Sequence, residues 1–204
     1  MKRDQNKTRG FSLVELLIAI AISGIVLGAI SSLFIMQNKS YSVQEQVAEM
    51  QQNARAAMDM MTREIRMAGC DPTGSANAII VTATSNSINF TQDLDGDGHT
   101  YDPDTGTWDT NERITYSLYT SDGIQKIGRA TGAGNNQPVA EHIQALTFAY
   151  YDSNGNTTAV LANIRQIQLT ITARTAKPDP DYTLYNGYRR CTLKTLITPR
   201  NLAY

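Results

Sequence analysis

Hydrophobic residues are arranged along this chain in three successive patterns. From Phe11 to Met36 they run almost unbroken, 26 residues in which Glu15 is the single charged side chain. A helix of that length covers roughly 39 Å at about 1.5 Å per residue, enough to cross a bilayer core of about 30 Å. From Gln37 to Gly69 the chain turns polar but keeps a helical period. Val43, Val47, Met50, Ala54, Ala57, Met61, Ile65 and Ala68 recur at intervals of three and four, which places them on one face. No proline occurs between Phe11 and Gly69, so one continuous helix is permitted, with Gly69 as its stop and Pro72 barring continuation.

After Cys70 the period shortens to two. Strand-like runs appear at 78–84, 87–91, 114–118, 124–127, 146–151, 164–173 and 191–197, separated by turn formers such as Ser121-Asp122-Gly123 and Asp152-Ser153-Asn154-Gly155. Residues 138–143 read as a short helical turn that carries His142 between two strands. The pattern predicts an α+β fold, in which a long N-terminal α-helix, half transmembrane and half amphipathic, packs on a mostly antiparallel β-sheet. Its segments are 1–10 as a leader, 11–36 as the membrane helix, 37–69 as the amphipathic helix and 70–204 as a β-rich domain.

Composition adds location and excludes some chemistry. The net charge is -1 over 204 residues, so a nucleic-acid partner is not expected. Arg189, Arg190, Lys194 and Arg200 read as ordinary solvated strand ends. Lys2, Arg3, Lys7 and Arg9 precede the apolar run against a single Asp4, whereas Lys39, Glu45 and Glu49 follow it, so the positive-inside rule keeps the N-terminus cytoplasmic and sends the rest across. The two histidines have neither a nearby nucleophile nor a partner at metal-ligand spacing, and the chain does not read as an enzyme. An exported location permits a disulfide between the two cysteines, Cys70 and Cys191; closing a loop of that length is worth about 4–5 kcal/mol. The alternative is two independent thiols that pack as small hydrophobes.

Two processing routes compete for the N-terminus. In one, residues 11–28 are the core of a secretory signal, with Ala29 and Ser31 before a cut at Ser32. That route discards the apolar run and leaves Glu15 unexplained. In the other, Arg9-Gly10-Phe11-Ser12-Leu13-Val14-Glu15 resembles the cleavage and methylation signature of type IV prepilins and of type II secretion pseudopilins. The resemblance implies a pilin fold, cleavage after Gly10 by a membrane-embedded prepilin peptidase, and methylation of the new Phe11 amine. The apolar run is then retained.

Physical chemistry gives Glu15 a task on this second route. A carboxylate alone in lipid costs several kcal/mol. Once Gly10 is removed, the Phe11 amine of a neighbouring subunit supplies the counter-charge, and a subunit in the wrong axial register leaves both charges unpaired. The alternative is a glutamate that snorkels to the cytoplasmic interface. The phrases "NARAAMDMMTREIRMAGCDP", "DLDGDG", "ERITYSL" and "TLKTLITPRN" further resemble the PilW-type minor pilins. That resemblance implies a filament subunit of the bacterial inner membrane, later of the pilus and cell surface. Its partners would be prepilin peptidase, other major and minor pilins, and the pilus assembly platform. A J-like type II secretion pseudopilin shares these features, and a membrane-anchored or secreted calcium-stabilised binding domain is the more distant rival.

The segment "DLDGDGHTYDPD" carries the other candidate chemistry. Asp93, Asp95, Asp97 and Gly98 occupy positions one, three, five and six of a calcium loop, His99 offers a backbone carbonyl, and Asp104 falls at position twelve. From Asp93 to Glu112 there are seven carboxylates and no Lys or Arg, a density that repels itself without a counter-ion. The spacing therefore predicts Ca2+ as a structural ligand, no cofactor being required otherwise. The plainer reading is a solvated acidic turn, since Asp and Gly favour turns in any case.

Overall fold

The structure is a computed structural model that describes residues 10–109 and 111–202. The leader cations Lys2, Arg3, Lys7 and Arg9, with Asp4, lie outside the described residues. The chain divides into two units, 1–45 and 46–204. Helix α1 runs from Leu13 to Met67 and contributes to both.

In the first unit every described residue up to Ser42 is exposed. The run is by length and composition able to cross a membrane. An apolar helix with no protein cover needs either lipid or other helices around it, so this segment fits a membrane anchor.

In the second unit the same helix carries a buried stripe. Met50, Ala54, Ala57, Met58, Met61 and Ile65 are buried, the spacing the sequence predicts, with Met58 added. They form one core with Ile88 and Phe90, Ile114 and Tyr116, Ile127, and the alternating Ile167, Leu169, Ile171 and Ala173. Burying an aliphatic side chain of this size contributes about 1.5–3 kcal/mol. Past Met67 the helix ends as expected. Gly69 takes a φ of +78°, its N–H donates to the Thr91 carbonyl at 3.0 Å, and a Cβ there would meet Leu202 Cδ2 at 2.7 Å. A left-handed residue in so close a fit has to be glycine.

The strands are β1 (Ile80–Ala83), β2 (Ser87–Thr91), β3 (Tyr101–Asp102), β4 (Thr107–Trp108), β5 (Arg113–Ser121), β6 (Ile124–Thr131), β7 (Gln137–Glu141), β8 (Ile143–Tyr151), β9 (Gln166–Arg174) and β10 (Arg190–Ile197). They form a five-stranded sheet of order β1-β2-β5-β6-β7, a three-stranded sheet of order β10-β9-β8, and the small hairpin β3-β4. Every pairing is antiparallel.

Residues 138–143 do not form the expected helical turn. They are the edge strand β7 and the start of β8, because pairing with β6 satisfies their backbone and an edge tolerates Pro138. His142, at φ +57°, is the hinge where the chain leaves one sheet for the other; its carbonyl accepts the Arg174 N–H at 2.9 Å.

A polar clamp ties helix to sheet. The Glu64 carboxylate accepts the Tyr116 hydroxyl at 2.6 Å and Arg129 Nε at 3.0 and 3.1 Å, and the Arg129 guanidinium also donates to Asn111 Oδ1 at 3.3 Å. Burial, and then the hydrogen bond to the Glu64 carboxylate, push the Tyr116 hydroxyl far above the usual phenol range, so it remains a donor.

The expected disulfide is not formed: Cys70 and Cys191 are both free and half-buried. Topology explains the correction. Gly69 lies against Asn201 and Leu202, beyond the far end of β10, whereas Cys191 is the second residue of that strand, six residues before Ile197. Six residues of strand span about 20 Å, far beyond the roughly 7 Å limit for bridging Cα atoms.

Candidate functional site

The first candidate site is the start of α1. Gly10 and Phe11 are exposed and precede the helix, with Phe11 at 89% relative exposure. Ser12 and Glu15 bind each other reciprocally: Glu15 Oε2 accepts the Ser12 N–H at 2.9 Å, and Ser12 Oγ accepts the Glu15 N–H at 3.2 Å. This is a capping box, which satisfies two of the amides that a helix N-terminus leaves without partners. The carboxylate also faces the positive end of the helix dipole. The S-x-x-E spacing announces the box in the sequence, and Ser12 is a site residue that the family resemblance alone passes over. Gly24 and Gly28 are open, with no atom within 4 Å of where a Cβ would stand.

The second is the acidic loop between β2 and β5. Asp93 is wholly buried, and its backbone N–H donates to the Cys70 carbonyl at 2.7 Å. Its carboxylate accepts the Gly96 N–H at 2.6 Å and the Gly98 N–H at 3.1 Å. Asp95 Oδ1 accepts the Asp97 N–H at 3.1 Å, and Asp97 Oδ1 accepts the His99 N–H at 2.8 Å. Gly98, at φ +87°, makes the sharp bend expected at position six; Ser75 Oγ stands 2.5 Å from where its Cβ would be.

The predicted ligand set assembles only in part. Asp93 and Asp95 come together with Glu112, one oxygen from each lying within 4.8 Å of the others. Asp97 and His99 stay exposed and face each other, Oδ1 to Nδ1, at 3.7 Å. Asp104 is displaced because the β3-β4 hairpin interrupts the loop. It sits at the exposed hairpin tip, where the Asp102 carboxylate accepts the Asp104 N–H at 2.8 Å and the Thr105 hydroxyl at 2.7 Å. The hydrogen bond from that hydroxyl, followed by those from the two amides, holds the Asp102 carboxyl below its ordinary range.

Glu112 takes the place of the twelfth residue from 19 positions beyond Asp93, a distance at which no loop motif points to it. Its Oε1 accepts the Leu94 N–H at 2.7 Å and the Asp95 N–H at 3.3 Å. Burial is the main cause that raises its carboxyl above the usual range, and the charges of Asp95 and Asp93 add to it. Asp109 beside it is raised likewise, first by burial and then by Asp97, Asp102 and Asp95.

Known proteins place these features in context. Residues 5–31 match the prokaryotic N-terminal methylation motif, and residues 43–189 match the prepilin peptidase-dependent protein B family. Among solved structures the chain is similar to a type IV-like pilin from Thermus thermophilus, at 14% identity and a TM-score of 0.44, over 74% of this chain and 97% of that one. No curated protein matches. An N-terminal methylation motif on an uncovered apolar helix, followed by a family match across well over half the chain, leads to one conclusion: this protein belongs to the prepilin peptidase-dependent protein B family.

Proposed function

We propose that the protein is a minor type IV pilin of the PilW type, a structural subunit that is cut after Gly10 by prepilin peptidase, methylated at Phe11, and incorporated into a pilus or used to prime its assembly. The carrying observation is the start of α1. Phe11 and the Ser12–Glu15 box sit exposed at the head of an apolar helix that has no protein around it.

In the free subunit Glu15 caps its own helix through Oε2. In a filament its carboxylate meets the Phe11 amine of a neighbour, and the pair exchanges a lone charge in lipid for a matched one. The excess of positive charge at the leader keeps the N-terminus in the cytoplasm, so that 70–204 lies outside the inner membrane before the assembly platform extracts the subunit. Its partners are then other major and minor pilins. The J-like pseudopilin alternative uses the same processing and differs in the filament that it joins.

Mass spectrometry of the N-terminal peptide, from native membranes and from sheared pili, tests the reading. A mature chain that begins with N-methylated Phe11 and is recovered in the pili is expected. A chain that begins at Ser32 or still at Met1 overturns it, and a methylated chain absent from pili transfers the protein to a secretion pseudopilus.

A further inference from the structure

The acidic loop, which the filament proposal leaves without a task, holds an arrangement of its own. Three carboxylates from two separate stretches, Asp93 and Asp95 at the end of β2 and Glu112 at the start of β5, bring oxygens within 4.8 Å of one another. Oxygens that near can all reach one ion that binds each at about 2.4 Å, the distance calcium prefers. Glu112 is 1% exposed, and its Oε2 is buried with no hydrogen-bond partner among the described residues. A buried carboxylate oxygen without a donor is costly to leave so.

None of the described Lys or Arg side chains relieves it. Arg113 follows Glu112 directly, yet its guanidinium lies over the Trp108 ring at 4.4 Å, and its Nε donates to Asn89 at 3.4 Å. Arg129, the other nearby cation, is held by Glu64 and Asn111.

We propose that Asp93, Asp95 and Glu112 form a Ca2+ site that clasps the end of β2 to the start of β5. All three donors are hard carboxylate oxygens, which select a hard cation over softer-ligand metals, and a set drawn from a loop and a strand start suits the flexible shell of calcium better than the near-ideal octahedron that magnesium demands. Asp109, whose Oδ2 is also buried and without a partner among the described residues, stands at the edge of the site, and backbone carbonyls and water complete the shell. Asp97, His99 and Asp104 supply no side-chain ligand. The site lies where the chain returns from the helix, since Asp93 N–H holds the Cys70 carbonyl and Gln92 N–H holds the Glu112 carbonyl at 2.8 Å. A cation there would fasten the loop to the helix end as well as to the sheet.

The test uses the full chain in detergent micelles, stripped with a chelator, with Tb3+ as a luminescent stand-in excited through Trp108, the chain's single tryptophan. Saturable Tb3+ luminescence displaced by Ca2+, and displaced only at higher concentration by Mg2+, is expected. Asp95→Asn and Glu112→Gln each raise the half-saturating Ca2+ concentration by about tenfold or more, since ligand charge sets affinity in such sites. Asp97→Asn and Asp104→Asn leave it within about twofold. Glu112→Gln keeps an acceptor for the Leu94 and Asp95 amides, and should it fail to fold, Asp95→Asn, at an exposed position, decides alone. An absence of any saturable Tb3+ or Ca2+ response overturns the proposal, as does a loss of affinity in Asp104→Asn equal to that in Asp95→Asn.

Discussion

One helix serves two environments, and its two halves differ in almost everything except backbone. Residues 13–42 carry a nearly continuous apolar surface that no protein covers, and every side chain there is exposed. Residues 50–67 are more polar, and yet their narrow stripe of Met50, Ala54, Ala57, Met58, Met61 and Ile65 lies in the core. Hydrophobicity therefore does not by itself mean burial within the chain. The first half is too apolar all round to present a solvent face, so its partner has to be lipid or other helices, whereas the second half has one apolar face and one sheet to put it against.

The largest effect expected from this comparison comes from truncating one side chain in each half. Met61→Ala removes a fully buried side chain and should cost about 2–5 kcal/mol in denaturant unfolding of the 46–204 unit. Leu17→Ala, at 59% exposure, should leave that unfolding within about 0.5 kcal/mol. Equal losses from the two would mean that the first half is held by the chain's own domain, and the contrast would collapse.

Two of the helix's glutamates, one in each half, sharpen it further. Glu64→Ala leaves the half-buried Arg129 without its ion pair and the Tyr116 hydroxyl without its acceptor, for about 2–3 kcal/mol. Glu15→Ala removes an exposed cap and should leave the unfolding of the 46–204 unit nearly unchanged while it abolishes recovery in sheared pili. Thermal unfolding and filament yield, read together, separate the roles; a Glu15→Ala chain that assembles normally would reduce that residue to its cap.

Glycine provides the smallest test. Gly98→Ala forces a left-handed backbone on a residue with a Cβ and drives that atom towards Ser75, for about 1–2 kcal/mol in unfolding. Gly24→Ala meets nothing within 4 Å and should be silent in the same measurement. A silent Gly98→Ala would show that the acidic loop relaxes without cost.

Local signals account for what was legible from residue order. The end of the helix at Gly69, strand β2 at its observed limits, and the β9 alternation all follow from periods and stop residues that act over a few positions. The mistaken turn at 138–143 shows where such signals lose, since pairing with β6, a partner brought back by a hairpin, outweighs the weak local preferences around Pro138. The Ser12–Glu15 box was also available, because both partners sit within one turn of the helix.

By itself the sequence determined the long helix, its division into a continuously apolar half and a half with one core-facing stripe, the α+β class, the processing signature around Gly10 and Phe11, and a dense acidic loop beginning at Asp93. Only the tertiary structure decided that Glu112 and not Asp104 joins Asp93 and Asp95, that Glu64 meets Arg129 and Tyr116, and that Cys70 and Cys191 stay apart. Periodicity reports which face of an element is apolar and is read within one element. The juxtaposition of side chains 19, 65 or 121 positions apart depends on strand order, and that order is settled by which pairings bury the most apolar surface with their backbone groups satisfied, a property of the whole chain at once.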